Sequence, residues 1–426
     1  MESLKDKLKA SRGQFFTKKD RVLNALVSLI KNKGDILEPS AGQGHIIKKL
    51  EDSKFENIYG LELDKLQVDV KVCQNEIIVG NFFNFQWFEN YDTVIGNPPF
   101  VKLKNVEGPT MDILPEKINQ NGNLYYYFIK YSVVLLRENG ELIFIVPKEW
   151  LYNVSAQFVR DYLSEYGNFT HFIDCGEEKL FDDADVPALC IFRFQKDYTG
   201  QTQYYNTLDN YYNNVSTLKY TVYGKTISFV DEVISGTTLS DFFDIKVGLV
   251  TGSEPIYKIK NPEHLIQGYY KEIVTTDRQI TNYYFLENIN SMDEVPDAIR
   301  DHFLEHKKQL IGRKIKKYTE KNWWKYGAIR NIELMSSNRP RILCLMKTRE
   351  KDLFWVGQEN ICYSGGILGL YPKAGVNLNL EEVVKYLNSE SFRNLLKENN
   401  MCSNTKVSIT PSVLGSLKFN FAVSEN

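Results

Sequence analysis

A chain of 426 residues is too long for one ordinary hydrophobic core and calls for two domains, with three within reach. Its 43% apolar and 25% charged residues are the proportions of a globular protein, and a net charge of -2 excludes a polycation as a whole. The six cysteines (73, 175, 190, 344, 362, 402) form no CxxC pair. No metal site is therefore expected, and they read as reduced thiols in a cytoplasmic protein. The N-terminus lacks an apolar signal segment and no run approaches the roughly 18 apolar residues of a membrane span, so no membrane partner is expected.

In chain order, Gly13-Gln14-Phe15-Phe16-Thr17 precedes a stretch from Asp20 to Lys31 in which Val22, Leu23, Leu26, Val27 and Ile30 keep helical spacing, with Thr17 able to cap it. Asp35 to His45 then reads as a short buried strand, a turn through Glu38-Pro39-Ser40-Ala41-Gly42, and a helix to about Leu50. The small residues let a ligand approach the backbone at a helix N-terminus. About two dozen residues later a second strand, Ile58 to Asp64, ends in Glu62. Nucleotide-binding βαβ units place a carboxylate there to accept ribose hydroxyls. The turn lacks the full G-x-G-x-x-G pattern, and Glu38 beside it would repel a pyrophosphate. A nucleoside with a cationic or zwitterionic tail fits better. Glu76 to Val79 is a third strand, followed by Gly80-Asn81-Phe82.

The fourth strand organises the rest. Tyr91 to Gly96 is an apolar run that stops in Asn97-Pro98-Pro99-Phe100, where two prolines cannot continue a sheet. Ligands of open α/β sheets bind at the carboxyl ends of strands. There the Asn97 carboxamide oxygen and the Pro98 carbonyl are two acceptors suited to an exocyclic amino group, and Phe100 offers a face to a planar ring. A strand end with a rigid turn is the competing reading. Lys102 and Lys104 follow, within reach of phosphate, and the stretch from Val101 to about Gly122 shows no periodicity. A helix from Leu124 to Arg137, a strand from Glu141 to Val146, and strands at 171–174 and 188–194 complete this half. The Tyr-, Asn- and Thr-rich stretch 196–214 marks a change of composition near a domain boundary.

Taken together, Gln14-Phe15-Phe16-Thr17, the Glu38 to Gly42 turn, Glu62, Asn81-Phe82 and Asn97-Pro98-Pro99-Phe100 resemble the consecutive motifs of the TaqI-like, γ-ordered S-adenosylmethionine-dependent DNA adenine-N6 methyltransferases. The resemblance continues through Asn123-Leu124-Tyr125, the strand Glu141 to Pro147, and Phe181 ahead of Val186 to Phe194. It implies an α/β fold, the class I methyltransferase with a Rossmann-like seven-stranded sheet whose last strand is antiparallel. A C-terminal mixed α/β target-recognition domain would follow, with catalytic residues 1–235 and recognition residues 236–426. By similarity Thr17 and the turn of Glu38, Pro39, Ser40, Ala41 and Gly42 would hold the methionine part of S-adenosylmethionine. Glu62 would take the ribose, and Asn81 with Phe82 the cofactor's adenine. Asn97 to Phe100 would carry catalysis, with Phe100 and Phe181 stacking on a flipped base. The family usually has Asp where this chain has Asn81, and losing the charge-assisted part of that bond costs on the order of 1 kcal/mol.

Val247 to Gly252, the helix Val295 to Arg313, Trp323-Trp324 and the 347–363 strands resemble the family's recognition domain. From Lys307 to Lys351 fourteen Lys or Arg stand against three Glu, a local footprint for a polyanion in which Lys316, Lys317 and Lys321 are candidate DNA contacts. The paired Trp read more readily as core than as base readers. The implied partner is double-stranded DNA, over which the 101–122 loop would order. No nuclease motif is evident, so a cognate restriction endonuclease would act as a separate protein. Methyltransferases of RNA bases or protein glutamine share Asn-Pro-Pro-aromatic but generally lack so large a C-terminal domain. A catalytically silent DNA-binding protein is the third reading.

Overall fold

The computed structural model describes residues 20–85, 90–106, 122–176, 178, 180, 188–232, 236–315, 317–399, 401 and 407–418. The chain divides into two compact units, residues 1–233 with 398–400, and residues 234–397 with 401–426.

The first unit is built on one large sheet. Its strands are β1 (Ile36–Glu38), β2 (Ile58–Glu62), β3 (Ile77–Val79), β4 (Tyr91–Gly96), β5 (Leu136–Pro147), β6 (Gly167–Gly176), β7 (Leu189–Lys196), β8 (Thr202–Tyr205), β9 (Thr217–Tyr223) and β10 (Ile227–Val230). They lie in the order β10-β9-β8-β6-β7-β5-β4-β1-β2-β3. β1 to β5 pair in parallel, and β7 runs antiparallel between β5 and β6. This is the expected class I arrangement. Ten strands replace the expected seven because the chain does not leave the sheet at the change of composition. Thr202–Tyr205 pairs in parallel with β6, and the antiparallel β9 and β10 follow. Phe229 of β10 packs 4.4 Å from Phe172 of β6, which gives these polar strands a hydrophobic anchor.

Helices cover both faces, which is why β4 and β5 read as unbroken apolar runs. On one face Val94, Leu142 and Phe144 pack with α3 (Leu124–Val134) and α4 (Gln157–Tyr166). On the other Ile95, Ile143 and Ile145 pack with α1 (Asp20–Ser28) and α2 (His45–Asp52). α3 stops short of Arg137 because Leu136 already pairs with Tyr91, so β5 begins earlier than periodicity predicts.

At the amino-terminal half of the sheet, charges are satisfied internally. Glu141 and Arg193 form a buried ion pair between β5 and β7. Glu141 Oε1 also accepts the N–H groups of Lys31 and Asn32 at 2.8 and 3.0 Å and the Thr93 hydroxyl at 2.9 Å. Arg137 bridges Asp35 and Asp92 at 2.7 and 2.6 Å.

The second unit is mixed α/β. A four-stranded sheet in the order 243–247, 367–372, 341–345, 354–357 and a three-stranded sheet of 280–284, 270–274 and 362–363 are flanked by Asp297–Glu305, Leu380–Leu387 and Glu390–Glu398 among other helices. The helix expected over 295–313 breaks at His306 into Asp297–Glu305 and Lys307–Ile311. No helix among the described residues is long and apolar enough to cross a membrane.

Removing one partner of a buried, hydrogen-bonded ion pair strands the other charge. Glu141→Ala is therefore expected to lower stability by about 3–5 kcal/mol. Urea unfolding followed by tryptophan fluorescence measures it, and a loss below about 1 kcal/mol would show that Arg193 finds another acceptor.

Candidate active site

The strand order reverses between β1 and β4, which places a crevice at their carboxyl ends. β1 and β4 are direct neighbours, with Leu37 opposite Val94. Continued past the strand ends, that register brings Ser40, two residues beyond Glu38 at the end of β1, level with Asn97, the first residue after β4.

The turn after β1 is shaped by the next strand. Glu62 ends β2, and its two carboxylate oxygens accept the N–H groups of Gly42 at 2.8 Å and Asp64 at 2.9 Å. Gly42 and Gly44 have positive φ of 54° and 83°. A Cβ on Gly44 would also stand 2.5 Å from Cys73 Sγ, so backbone conformation and space both require glycine there. Ser40 Oγ donates to the Asn97 backbone carbonyl at 3.3 Å, joining this turn to the end of β4. Sequence patterning gave no sign of that tie, since it depends on strand adjacency.

Electrostatically the crevice is acidic. Glu38 is only 2% exposed, and its Oε2 has no hydrogen-bond partner among the described residues. Burial, then the neighbouring Glu62 charge, push its carboxyl well above the usual range, against one N–H from Ile47. Burial also raises Glu62, less strongly because backbone N–H groups favour its charged form. An orphaned buried acid beside a second acid suits a ligand that brings positive charge. S-adenosylmethionine, with its sulfonium and ammonium, is the cofactor this donor set fits. Glu62 still has lone pairs for ribose hydroxyls beyond the two N–H bonds it accepts.

Asn81 and Phe82 follow β3 at the same edge, and they divide differently from expectation. Asn81 Oδ1 accepts the Phe83 N–H at 3.1 Å, so its oxygen also shapes the turn. The Phe82 ring is 4% exposed and stacks on Phe128 at 4.8 Å and 8°. That ring face is taken up by the core. Leu63, next to Glu62, is 63% exposed at the end of β2. It is an exposed apolar side chain beside the crevice that sequence reasoning passed over.

Pro98 is buried, and Pro99 and Phe100 are half-buried. The Phe100 ring meets Tyr125 edge to face at 5.8 Å and 77°, which anchors it while leaving it accessible. Tyr125 is itself fixed by a bond to the Pro147 carbonyl at 3.2 Å. Asn123 caps α3 by accepting the Tyr125 N–H. Leu124 N–H donates to the Val101 carbonyl at 2.8 Å and Leu103 N–H to that of Gly122 at 3.0 Å, so the chain on either side of 107–121 is held together. Lys102 and Lys104 are exposed. Beyond β5, Lys148 pairs with Asp174 at the end of β6, and Asp174 also accepts from Tyr204 at 3.3 Å. Thr17, Phe181, Lys316 and most of the 101–122 loop lie outside the described residues. Among the described residues no group of three or more His, Cys, Asp or Glu could hold a metal ion.

In the second unit the basic run is not uniformly a surface. Arg313 is buried, donating to the carbonyls of Leu310, Thr251, Trp323 and Lys325. Arg341 is buried likewise, on the carbonyls of Met335 and Ser337. Trp323 and Trp324 are core residues, each 2% exposed. Lys317 and Lys321 are exposed, as are Lys308, Lys314, Arg330, Lys347, Arg349 and Lys351.

With this geometry established, known proteins can be compared. Residues 21–181 match the Eco57I restriction-modification methylase family. Type II methyltransferase M.HindII of Haemophilus influenzae is 25% identical, covering 96% of this chain and 90% of its own length. M.HincII of the same species is 24% identical, with coverage of 96% and 89%. The solved structure of the type IIL restriction-modification enzyme MmeI in complex with DNA aligns with a TM-score of 0.58 at 13% identity. It covers 98% of this chain, which spans 65% of the length of that one. The fold is thus that of a class I methyltransferase followed by a second α/β unit, and the chain's relatives are type II methyltransferases.

Proposed function

We propose that this chain methylates the N6 amino group of an adenine turned out of a specific duplex DNA sequence. In this reading it is the modification enzyme of a restriction-modification system whose endonuclease is a separate protein. The observation that carries the reading is that the turn after Glu38 and Asn97-Pro98-Pro99-Phe100 leave adjacent parallel strands at the switch point and are tied together by the Ser40–Asn97 bond. Relatives that modify DNA as type II methyltransferases support it.

The adenine amino nitrogen is a poor nucleophile because its lone pair is delocalised into the ring. The Asn97 carboxamide oxygen and the Pro98 carbonyl accept its two N–H groups, which favours a tetrahedral nitrogen with a localised lone pair. Bound S-adenosylmethionine supplies an electrophilic methyl on sulfur, and transfer is a direct displacement. The same two acceptors stabilise the positive charge that develops on nitrogen. The proton leaves afterwards to water, so neither a covalent intermediate nor a nearby general base is needed. Turning the base out costs a few kcal/mol, and stacking on Phe100 returns about 1–3 kcal/mol. In this assignment Glu62 takes the ribose, the turn around Glu38 the methionine part, and Asn81 the cofactor's adenine. Phe181 is the second stacking ring. Residues 236–426 read the sequence, with Lys102, Lys104, Lys316, Lys317 and Lys321 on phosphates.

The first test is mass-spectrometric nucleoside analysis of DNA from a methylation-deficient bacterial host expressing the chain or Asn97→Ala. N6-methyladenine in the wild-type sample alone is expected, while cofactor binding survives the substitution. N4-methylcytosine would reassign the base, and an unmodified genome would redirect the search to RNA and protein. Ser40→Ala should lower kcat by about tenfold or less while leaving the cofactor Kd within about twofold, since the bond it removes orients Asn97. A changed Kd with normal kcat would place Ser40 on the ligand instead. Neutralising Lys316, Lys317 and Lys321 together should weaken DNA binding and flatten its dependence on salt. An unchanged slope in a filter-binding series would make this run a merely solvated surface.

A further inference from the structure

Two buried carboxyls stand at the cofactor crevice, and they are held differently. Glu62 accepts two backbone N–H groups. Glu38 feels only that of Ile47, and its Oε2 is sealed from solvent without a hydrogen-bond partner among the described residues. What acts on the Glu38 carboxyl is burial, the Glu62 charge and the Ile47 N–H, none of them a cation. β2 contributes Glu62, which repels it. The connection before β3 contributes the Cys73 thiol, on which Glu38 acts in turn. α2 contributes His45 in its first turn, and its Lys48 is turned to Asp52 at the surface. The neighbouring β4 carries one acid, Asp92, which sits at the far end of the strand on Arg137.

On the reading of this crevice as an S-adenosylmethionine site, we infer that Glu38 carries a proton in the ligand-free protein and releases it when the cationic cofactor enters. The crevice then selects the sulfonium cofactor over its neutral-sulfur product. In that step the Glu38 O–H bond breaks, the proton passes to the buffer, and the carboxylate balances the incoming positive charge. No electron is transferred. After methyl transfer the sulfur is neutral and the product keeps its ammonium and carboxylate, which balance each other. Glu38 then regains a proton from solvent, and the product leaves a neutral carboxyl at position 38 rather than a carboxylate facing a cation.

Burial and the Glu62 charge both favour the protonated acid, and an incoming cation favours the ionised one. Below the value at which free Glu38 ionises, affinity for the cation therefore rises with pH, by up to about tenfold per unit for one proton released. Affinity for the product rises less, so the preference for cofactor over product widens with pH in that range.

The test is isothermal titration of the full chain with S-adenosylmethionine, S-adenosylhomocysteine and sinefungin, in which an amine-bearing carbon replaces the sulfonium. Each is run in phosphate and in Tris buffer, at a series of pH values above the ordinary glutamate range. For S-adenosylmethionine and sinefungin the apparent binding enthalpy should differ between the two buffers by the heat of a released proton. S-adenosylhomocysteine should show a smaller difference. Glu38→Gln should remove the buffer difference and narrow the preference for cofactor over product several-fold. Ligand-free stability gives an independent reading. A carboxyl whose folded value is raised stabilises the fold while protonated, so that component is lost as pH climbs from the ordinary glutamate range toward the folded value. Thermal melts of the wild type should show this loss, and those of Glu38→Gln should lack it. Buffer-independent enthalpies in the wild type would overturn the inference, as would a proton release undiminished in folded Glu38→Gln. A wild type that binds none of the three ligands would instead overturn the reading of the crevice, and the inference with it.

Discussion

The carboxyl edge of the sheet depends on one contact between a side chain and the backbone. Glu62, at the end of β2, accepts the Gly42 N–H at 2.8 Å. That bond sets the path of the turn leaving β1, where Gly42 and Gly44 adopt conformations that favour glycine. From that turn Ser40 reaches the Asn97 carbonyl, so a residue on β2 helps to position the terminus of β4 across the intervening β1. An acid expected to meet a ligand is thus also the brace that gives the ligand its crevice. Substituting Glu62 would disturb both at once, which is why Glu38 and Ser40 are cleaner probes.

The two ends of the sheet treat polar groups in opposite ways. Toward the amino end, Glu141 is occupied by Arg193, Thr93 and two backbone N–H groups, and Arg137 bridges two aspartates. Such closed networks fix strand positions without inviting a ligand. At the carboxyl end Glu38 is buried with an oxygen unsatisfied among the described residues. The closed ion-pair network lies at one end of the sheet, and the end proposed to meet ligands keeps an acid without a counter-charge among the described residues.

How much of this was legible from sequence varied with how local the cause was. Strands buried on both faces announce themselves as apolar runs, so Ile36–Glu38, Ile58–Glu62 and Tyr91–Gly96 and the residues ending them could be read directly. Three further strands were missed because their cause is not local. β8 and β9 are rich in Tyr and Thr and lie with β10 at the sheet's margin, and this resembles a change of domain until strand pairing is known. Phe82 was correctly placed at the end of β3, but no pattern in the chain says that its ring lies on Phe128 forty-six residues away. Arg313 looks like surface charge because carbonyls that satisfy it come from separate stretches of chain, at Thr251 and Trp323, whereas Arg341 turns back onto the nearby carbonyls of Met335 and Ser337.

Those two arginines change what the basic run can contribute to a complex with a polyanion. A buried guanidinium already satisfied by carbonyls displaces no ion from a phosphate. Of the fourteen basic residues between 307 and 351, eight among the described residues are exposed. Setting the two buried arginines aside leaves at most twelve, so at about 0.9 counterions released per phosphate neutralised the ceiling falls from roughly thirteen counterions to roughly eleven. The entropic share of any association through this run is therefore bounded below what its composition suggests.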